Sequence, residues 1–270
     1  MRILFWNLQK KDAPSELSAF CQAQEVDIIV IAEAGPYAGA LGESLSAPGV
    51  GGYLRISPTT KRFEVFSRLR FSQVRAKHDS SRFSIWQIKP VLSDDVIFMA
   101  VHLPSKINAK DLDQHTNARL CVTELQHVER ELGHRRSIVL GDFNMHPFDD
   151  GMVAADAFHA VMDRQIASKL YRTVNGQQYY YFYNPMWSRM GDQSKGPPGT
   201  HSYRESGVKA FFWHTFDQIL LRPELLERVP EKNIQVLTSF GELSLLNKNG
   251  KISKPSDHLP ILVELSSPLS

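Results

Sequence analysis

The chain has few cysteines: Cys21 and Cys121 are the only two among its 270 residues. Two cysteines that each lie in a helix-like segment form no disulfide framework and no thiolate metal site, which is typical of proteins from reducing compartments. No apolar run approaches the roughly 20 residues that a membrane-spanning helix needs. The chain turns polar at Asn7, too early for the apolar region of a secretory signal. We therefore expect a cytoplasmic protein that does not enter membranes.

The chain also carries little excess charge, since its formal net charge at pH 7 is only +2. This charge is too small to predict a nucleic-acid partner, which has to be argued from local clusters instead. The signatures of several enzyme classes are missing: there is no Gly-x-Ser-x-Gly elbow, no Walker loop and no dinucleotide-binding glycine fingerprint. Apolar residues make up 42% of the chain, which is enough for a large core. No linker or repeat divides the chain, so we expect one domain over residues 1–270.

Short apolar segments bounded by polar or turn-forming residues predict the strands. In chain order they are Ile3–Trp6, Val26–Ala32, Phe63–Ser67, Phe71–Arg75, Phe83–Ile88, Val96–Val101, Ile138–Leu140, Phe216–Leu221, Ile234–Thr238 and Leu259–Leu265. The segments between residues 53 and 102 are separated by polar breaks, as antiparallel neighbours in a meander are.

Helical spacing of apolar residues is clearest over Asp111–Leu132, where a buried stripe is followed by Gly133 as the predicted end of the helix. We also expect a helix over Gly151–Ala167. The segment Gly35–Gly52 is rich in glycine, serine, alanine and proline, and it is predicted to be a long surface loop. Asn175-Gly176 predicts a hairpin turn.

Polar side chains occur at the ends of the predicted strands. Those that follow a strand are Asn7, Glu33, His102, Asp142 and Asn144, and those that open one are Asp217, Asp257 and His258. Taken singly, each is explained as a turn residue, a solvated carboxylate or a buried histidine. Taken together, they indicate one shared site, because functional residues concentrate in loops that rigid strands hold in place. Carboxylates, amides and histidines without cysteine suit a hard cation such as Mg²⁺.

The most informative stretch is Ile138–Asn144, in which three apolar residues lead into Gly-Asp-Phe-Asn. Asp142 and Asn144 are two residues apart, so their side chains project to the same side if the chain stays extended. A carboxylate beside an amide is suited to holding a water molecule and a charged oxygen at once. The same residues also suit a simple turn. This stretch alone does not choose between the two interpretations.

Six motifs occur along the chain: Trp6-Asn7, Ile31-Ala32-Glu33, His102-Leu103, Gly141-Asp142-Phe143-Asn144, Phe216-Asp217-Gln218-Ile219 and Ser256-Asp257-His258-Leu259-Pro260. In this order they resemble the motif series of the endonuclease/exonuclease/phosphatase superfamily, which includes deoxyribonuclease-like and exonuclease III-like phosphoesterases. The resemblance implies an α/β (α+β) fold: a four-layered α/β sandwich, with two mixed β-sheets packed face to face and helices on the outside. It implies a single catalytic domain that hydrolyses a phosphoester by in-line attack of activated water.

The resemblance also implies a divalent cation, Mg²⁺ or Mn²⁺, held by oxygen ligands. Glu33 resembles the main metal ligand, with Asn7 beside it, and Asp257 completes the metal shell. A set with few carboxylates is chemically reasonable, because Mg²⁺ keeps several of its waters when it binds a protein.

Five residues acquire catalytic roles from the same resemblance. Asp142 would orient or deprotonate the attacking water, and Asn144 would hold this water or a phosphoryl oxygen. His258 would contact the scissile phosphate, with its ring oriented by Asp217. His102 matches the second histidine of deoxyribonuclease-like members, which donates to the phosphate or the leaving group. Which of these groups is the general base stays open.

Two clusters bear on the substrate. Seven basic residues with a single acid among them are suited to a track along a phosphate backbone, or to the solvated faces of a hairpin: Arg55, Lys61, Arg62, Arg68, Arg70, Arg75 and Lys77. Several aromatic residues are suited to stacking on bases, or to burial within their own loop: Tyr179–Tyr183, Trp187, Phe211, Phe212 and Trp213.

We therefore expect a nucleic acid or nucleotide as substrate, with Trp187 and Arg119 among the residues that bind it. A nuclease acting on DNA or RNA is the first hypothesis. A phosphatase or phosphodiesterase acting on a small nucleotide or another phosphorylated small molecule is the alternative. An inactive module that only binds phosphorylated ligands is less favoured, because the catalytic set is intact. The sequence does not predict the oligomeric state.

Overall fold

The structure is a computed structural model that describes residues 1–36, 38–47, 52–57, 62–91, 93–106, 110–203, 206, 208, 210–253 and 255–267. Its strands are β1 (Arg2–Asn7), β2 (Ile28–Ala32), β3 (Leu54–Arg55), β4 (Phe63–Ser67), β5 (Val74–Asp79), β6 (Phe83–Ile88), β7 (Val96–His102), β8 (Ser137–Asp142), β9 (Ala160–Val161), β10 (Tyr171–Val174), β11 (Gln177–Tyr180), β12 (Phe182–Tyr183), β13 (His201–Ser202), β14 (Trp213–His214), β15 (Asp217–Leu221), β16 (Ile234–Val236), β17 (Ser239–Phe240), β18 (Leu243–Ser244) and β19 (Ile261–Glu264).

The α-helices are α1 (Glu16–Ala23), α2 (Ala38–Ser46), α3 (Asp111–Leu132), α4 (Asp150–Val153) and α5 (Arg164–Ala167). Short 3-10 helices cover Phe71–Gln73, Pro185–Arg189, Pro223–Arg228 and Glu231–Asn233. Among the described helices, none combines the length and the apolar character that crossing a membrane requires.

Two mixed sheets contain the longer strands. The first has six strands in the order β16-β19-β1-β2-β4-β3, and the second has seven in the order β5-β6-β7-β8-β15-β12-β9. β1 and β2 are parallel neighbours in the first sheet, and β7 and β8 are parallel neighbours in the second. The carboxyl ends of each parallel pair therefore meet at one edge, which is where α/β proteins commonly place ligands.

Side chains alternate along the strands and build three apolar layers. Between the sheets, Ile3 and Phe5 of β1 belong to the same cluster as Phe98 of β7. On the outer face of the first sheet, Leu4 and Trp6 belong to a cluster that includes residues of α1 and α2. On the outer face of the second sheet, a third cluster includes the apolar residues of α3. The order is helix, sheet, sheet, helix, which confirms the predicted four-layered sandwich.

The long helix is confirmed by the structure at both of its ends. α3 covers Asp111–Leu132 and ends at Gly133, which adopts the left-handed conformation with φ 74°. Its buried stripe includes Ala118, Cys121, Val122, Leu125 and Val128. The hairpin prediction is also confirmed, since Asn175-Gly176 joins β10 to β11 with positive φ at both residues.

Two predictions about helices were wrong. The segment predicted as a loop over Gly35–Gly52 contains α2, because Leu41 and Leu45 are buried against the first sheet and this packing outweighs poor helix propensity. Residues 37 and 48–51 of that segment lie outside the described part. The helix predicted over Gly151–Ala167 is instead α4, β9 and α5, because β9 pairs in parallel with β12 at the edge of the second sheet.

The predicted meander is also smaller than expected. β4 pairs with β2 and β3 in the first sheet, so the meander of the second sheet consists of β5, β6 and β7. The strand predicted at Phe71–Arg75 begins at Val74, after a 3-10 turn. Apolar alternation identified these strands, but it does not identify their partners, which are set by contacts distant in the sequence.

Gly141 is required where β8 lies against β7. Its φ is +149°, and an added Cβ would lie 2.0 Å from the carbonyl oxygen of Val101. We expect Gly141→Ala to lower the free energy of unfolding by about 2–3 kcal/mol, because the backbone must shift to relieve the clash. Urea denaturation followed by circular dichroism measures this. Gly39→Ala is the control, since an added Cβ there contacts nothing within 4 Å, and an equal loss in both variants would contradict the explanation.

A buried ion pair joins α3 to the second sheet. Arg222 Nε donates to Glu129 Oε1 at 2.8 Å, and each side chain is only 1% exposed. The Ser137 hydroxyl donates to the same carboxylate oxygen at 2.8 Å. Arg222 Nη1 also donates to the carbonyl oxygens of Tyr180 and Tyr181. The carboxylate and the guanidinium therefore depend on each other for compensation of their buried charge.

Candidate active site

Strand register brings the predicted polar residues to one end of both sheets. In the second sheet, His102 lies opposite Asp142 in the parallel pair, and Asp142 lies opposite Asp217 in the antiparallel pair. In the first sheet, Asn7 ends β1 beside the end of β2, where Glu33 follows. Face-to-face packing of the sheets then brings these two groups into contact.

Asp142 is the centre of the hydrogen-bond network. Its Oδ2 accepts from Asn7 Nδ2 at 2.9 Å and from Asn144 Nδ2 at 3.2 Å, and its Oδ1 accepts from the Asn144 backbone N–H at 2.9 Å. Asn144 has φ 51°, a left-handed conformation that asparagine tolerates better than most residues. Asn144 Nδ2 also donates to the Leu103 carbonyl at 2.9 Å. The carboxylate is 1% exposed and held in one orientation.

His258 forms a buried pair with Asp217. Its Nδ1 lies 2.8 Å from Asp217 Oδ2, and its backbone carbonyl accepts from the Trp6 indole at 2.9 Å. Burial by itself lowers the pKa of His258, but the charges of Asp217, Asp142 and Asp257 more than offset this and raise the pKa to about 9. The three carboxylates therefore favour the protonated imidazole, and its Nε2 is the nitrogen left for a further partner.

Glu33 and His102 lie beside this network. His102 Nε2 is 3.3 Å from Glu33 Oε1 and 3.8 Å from Asp142 Oδ2. The hydrogen bond from His102 holds the pKa of Glu33 below its usual value, although partial burial opposes the shift. Glu33 has φ 45°, so the chain turns directly after β2. His102 thus lies between two carboxylates, one from the end of each sheet.

Asp257 is surrounded by donors. Its Oδ2 accepts from Gln9 Nε2 at 2.9 Å and lies 3.4 Å from His201 Nε2, and its Oδ1 lies 3.9 Å from His258 Nε2. Burial raises the pKa of Asp257, but the hydrogen bond from His201 and the charge of His258 reverse this and leave the pKa below its ordinary value.

The predicted site residues line one open cavity of about 700 Å³. Those at its wall are Asn7, Glu33, His102, Asp142, Asn144, Asp257 and His258, and Asp217 lies behind His258 with its side chain fully buried. The cavity is also lined by residues outside the predicted catalytic and metal-binding set. Three are cations, and several are aromatic rings or histidines: Arg62, Arg82, Lys106, His146, His201, Tyr203, Phe211, His214 and Phe216. Of these, only Arg62 and Phe211 belong to the basic and aromatic clusters of the sequence.

Trp187 and Arg119 do not line the cavity. Arg119 lies on the exposed face of α3, where its Nε is 3.3 Å from Asp156 Oδ2. Trp187 packs beside Phe148, with ring centroids 6.1 Å apart. The structure therefore does not bring these two predicted substrate contacts to the other site residues.

Much of the basic cluster is held in ion pairs rather than facing the cavity. Arg55 pairs with Glu64 at 2.7 Å, and Arg68 pairs with Asp27 at 2.8 Å. Lys77 pairs with Glu131 of α3. Lys61 lies outside the described part of the chain. Of the cluster as the structure describes it, Arg62 is the member that reaches the cavity.

The donor set fits a hard divalent cation. Glu33, Asn7 and Asp257 all line the cavity, and each has a side-chain oxygen, the kind of ligand that Mg²⁺ and Mn²⁺ prefer. Asp257 Oδ1 is buried and has no hydrogen-bond donor among the described residues, which is unusual for a carboxylate oxygen without a cation. Asn7 Oδ1 accepts from the Gln9 backbone N–H, and its second lone pair remains for a ligand.

The protein is thus an α/β sandwich of a defined class. In this class a polar site of carboxylates, amides and histidines lies at one end of two packed sheets. The model of the Endonuclease/Exonuclease/phosphatase family matches residues 4–258, nearly the whole chain. The chain therefore belongs to the Endonuclease/Exonuclease/phosphatase family, whose members are phosphoesterases. This confirms the family predicted from the six motifs. None of the curated protein sequences compared with the chain matches it.

Solved structures share the fold over almost the entire chain. A family protein from Bacteroides thetaiotaomicron is 14% identical, with a TM-score of 0.59, and the match covers 100% of this chain and 98% of that one. TDP2 from D. rerio, solved with a single-strand DNA product, is 17% identical, with a TM-score of 0.56 and 99% of each chain covered. ANGEL2, described as a 2',3'-cyclic phosphatase, is 13% identical, with a TM-score of 0.59, and the match covers 97% of this chain and 93% of that one. At these identities the likeness shows the fold.

Proposed function

We propose that the chain is a Mg²⁺- or Mn²⁺-dependent phosphodiesterase that hydrolyses DNA or RNA by in-line attack of water. The observation that carries this proposal is the Asp142 carboxylate, fixed by Asn7 and Asn144 at the wall of a cavity that His258 also lines, with its Nδ1 engaged by Asp217. A phosphodiester needs both a group that activates water and a cation for the charge that develops on phosphorus-bound oxygens.

Asp142 is suited to orienting the attacking water and accepting its proton. A carboxylate has about four acceptor positions, and three are filled by the hydrogen bonds from Asn7 and Asn144. The remaining position is available to a water at the cavity wall. Asn144 would then help to hold this water or a phosphoryl oxygen.

His258 is suited to binding the phosphoryl group. Because Nδ1 is engaged with Asp217, the ring has one orientation and donates through Nε2. His102 lies between Glu33 and Asp142. When the substrate displaces the His102 ring from Glu33, His102 would donate to the phosphate or to the leaving oxygen. Glu33, Asn7 and Asp257 would hold the cation. Bound there, a divalent cation supplies Lewis-acid stabilisation of charge on the phosphoryl oxygens.

The cations around the cavity support a nucleic-acid substrate. Arg62, Arg82 and Lys106 line the same cavity as the catalytic residues and come from three different loops or strand ends. Lys106 also pairs with Asp111 at 3.0 Å and with Asp149 at 3.4 Å, so Arg62 and Arg82 carry more of this argument. Contacts to phosphates from several directions are what holds an extended polyanion in register. A small phosphorylated molecule is the second candidate, and the cavity volume of about 700 Å³ supports it. Pockets for small ligands are typically about 300–1,000 Å³.

The proposal is tested with the purified chain and a panel of phosphoesters. Single-stranded and double-stranded DNA, RNA, cyclic dinucleotides and phosphomonoesters are incubated with Mg²⁺, with Mn²⁺ or with EDTA. We expect cleavage of a nucleic acid with either metal and none with EDTA. Turnover of only the small substrates would favour the second candidate. Absence of turnover with both metals, or unchanged turnover in EDTA, would show that the proposed metal-dependent reaction is wrong.

A further inference from the structure

His201 is placed beside His258 by backbone pairing. The two residues form an isolated antiparallel bridge, and the neighbouring Ser202 N–H donates to the Asp257 carbonyl at 3.1 Å. The Leu259 N–H donates to the Thr200 carbonyl at 2.7 Å, which closes the bridge on its other side. Residues directly opposite each other in an antiparallel pair place their side chains on the same face. The bridge therefore fixes two imidazole rings next to each other, with centroids 4.3 Å apart.

Both rings direct Nε2 towards the same carboxylate. His201 Nε2 is 3.4 Å from Asp257 Oδ2, and His258 Nε2 is 3.9 Å from Asp257 Oδ1. One ligand atom from each of the three residues lies within 4.8 Å of the other two. Zinc ligands at bond lengths of about 2.1 Å in tetrahedral geometry lie roughly 3.4 Å apart. The three side chains thus need little movement to bind one ion.

The surroundings of the three residues also resemble those of a metal site. His258 Nδ1 lies 2.8 Å from Asp217 Oδ2, and such a carboxylate–histidine contact orients most metal-binding imidazoles. Among the described residues, nothing donates to the buried Oδ1 of Asp257, which leaves this oxygen available to an ion. His201 is only 7% exposed, so its ring is held in place rather than solvated.

We propose that His201, Asp257 and His258 form a binding site for a divalent transition-metal ion of the Zn²⁺ type. Two imidazole nitrogens with one carboxylate favour zinc or cobalt over magnesium, which prefers oxygen ligands. The ion would bind His258 Nε2 in place of its proton, which passes to solvent, and this is the nitrogen that the proposed function assigns to the phosphate. Occupation of the site would therefore inhibit hydrolysis, a consequence that rests on the proposed function, whereas the binding itself does not.

Binding is tested directly on the metal-free full chain. Calorimetric titration with ZnCl₂ and with MgCl₂ measures affinity and stoichiometry, and CoCl₂ adds a visible spectrum that reports non-octahedral coordination. We expect the wild type to bind one zinc ion and to give a cobalt spectrum that shows non-octahedral coordination. His201→Phe keeps a ring beside Phe216 but removes the ligand, and it should weaken zinc binding roughly 100-fold or more, as loss of a ligand exceeds the 10–100-fold cost of losing its supporting contact. The affinity for MgCl₂ should stay within a factor of two or so.

Two further variants separate this site from alternatives. Asp257→Asn keeps the shape of the side chain and should also weaken zinc binding. His214→Phe removes a histidine from the same wall, 5.6 Å from the His201 ring by centroids, and should keep the zinc ion. Equal zinc affinity in wild type and His201→Phe, with both folded by circular dichroism, would overturn the proposal. So would a loss in His214→Phe as large as that in His201→Phe.

Activity then separates the binding site from its proposed consequence. ZnCl₂ should inhibit Mg²⁺-supported hydrolysis by the wild type and inhibit His201→Phe only at much higher concentration. If zinc binds as expected but the chain cleaves no phosphoester, the metal site stands and the proposed function fails. If hydrolysis occurs and zinc does not bind, the function stands and the metal site is wrong.

Discussion

Asp142→Asn is expected to lower kcat for phosphoester hydrolysis by roughly 100-fold or more, the usual cost of removing a general base or its equivalent. The substitution keeps the size of the side chain but replaces one carboxylate oxygen with an NH₂ group. Three donors from Asn7 and Asn144 point at the two oxygens, so the NH₂ group would face a donor whichever way the amide is oriented. The variant therefore loses both the proton acceptor and the geometry of its partners.

The measurement is kcat and KM on whichever substrate the wild type cleaves, with saturating Mg²⁺. Asp156→Asn is the matched control, because it makes the same chemical change at a carboxylate outside the cavity that pairs with Arg119 and His115. We expect the control to keep nearly full activity. A normal kcat in Asp142→Asn would remove this residue from the mechanism, and a similar loss in the control would show that the effect is not specific to the cavity.

Glu129→Ala is expected to lower the free energy of unfolding by about 3–5 kcal/mol, the usual cost of breaking a buried ion pair from one side. The guanidinium of Arg222 would keep its bonds to the carbonyl oxygens of Tyr180 and Tyr181 but lose its only carboxylate partner among the described residues. The Ser137 hydroxyl would also lose its acceptor. These groups lie between α3 and the second sheet, where water does not replace the missing partner.

Urea denaturation of the wild type and variants measures this difference. Glu131→Ala is the matched control, since it lies two residues away on α3 and removes an ion pair in which Glu131 is 51% exposed. Solvent weakens such pairs, so the control should cost far less stability than Glu129→Ala. Glu129→Gln should fall between the two, because it keeps an acceptor for Arg222 but not the charge. Equal stabilities for Glu129→Ala and Glu131→Ala would refute the proposed importance of the buried pair.

The sequence was most informative where a pattern is local. Apolar segments identified the central strands β1, β2, β7, β8 and β15, and 3.6-residue spacing identified α3 with its glycine end. Local sequence patterns gave wrong predictions where packing against distant residues determines the secondary structure. Burial of Leu41 and Leu45 stabilises α2 as a helix, although its small residues have poor helix propensity. Pairing of β9 with β12 interrupts the helix that was predicted over Gly151–Ala167.

The residues of the candidate site also divide into those that the sequence predicted and one that only the tertiary structure identified. Asn7, Glu33, His102 and Asp142 were predictable because each ends or directly follows a strand within a motif, and parallel neighbours end at the same edge. His258 was predictable from its motif. His201 was not predictable, because nothing in its local sequence distinguishes it from a buried histidine. Its position depends on a bridge to a residue 57 positions later in the chain.

By itself, the sequence determined the family through the order of its motifs, and the resemblance to that family implied the four layers and the residues at the sheet edge. The tertiary structure alone decided which cations line the cavity, which arginine is buried against α3 and which histidine shares Asp257. These are contacts between residues far apart in the sequence. Their distances depend on sheet packing and strand register, and a one-residue shift in register would reverse the face that each side chain occupies.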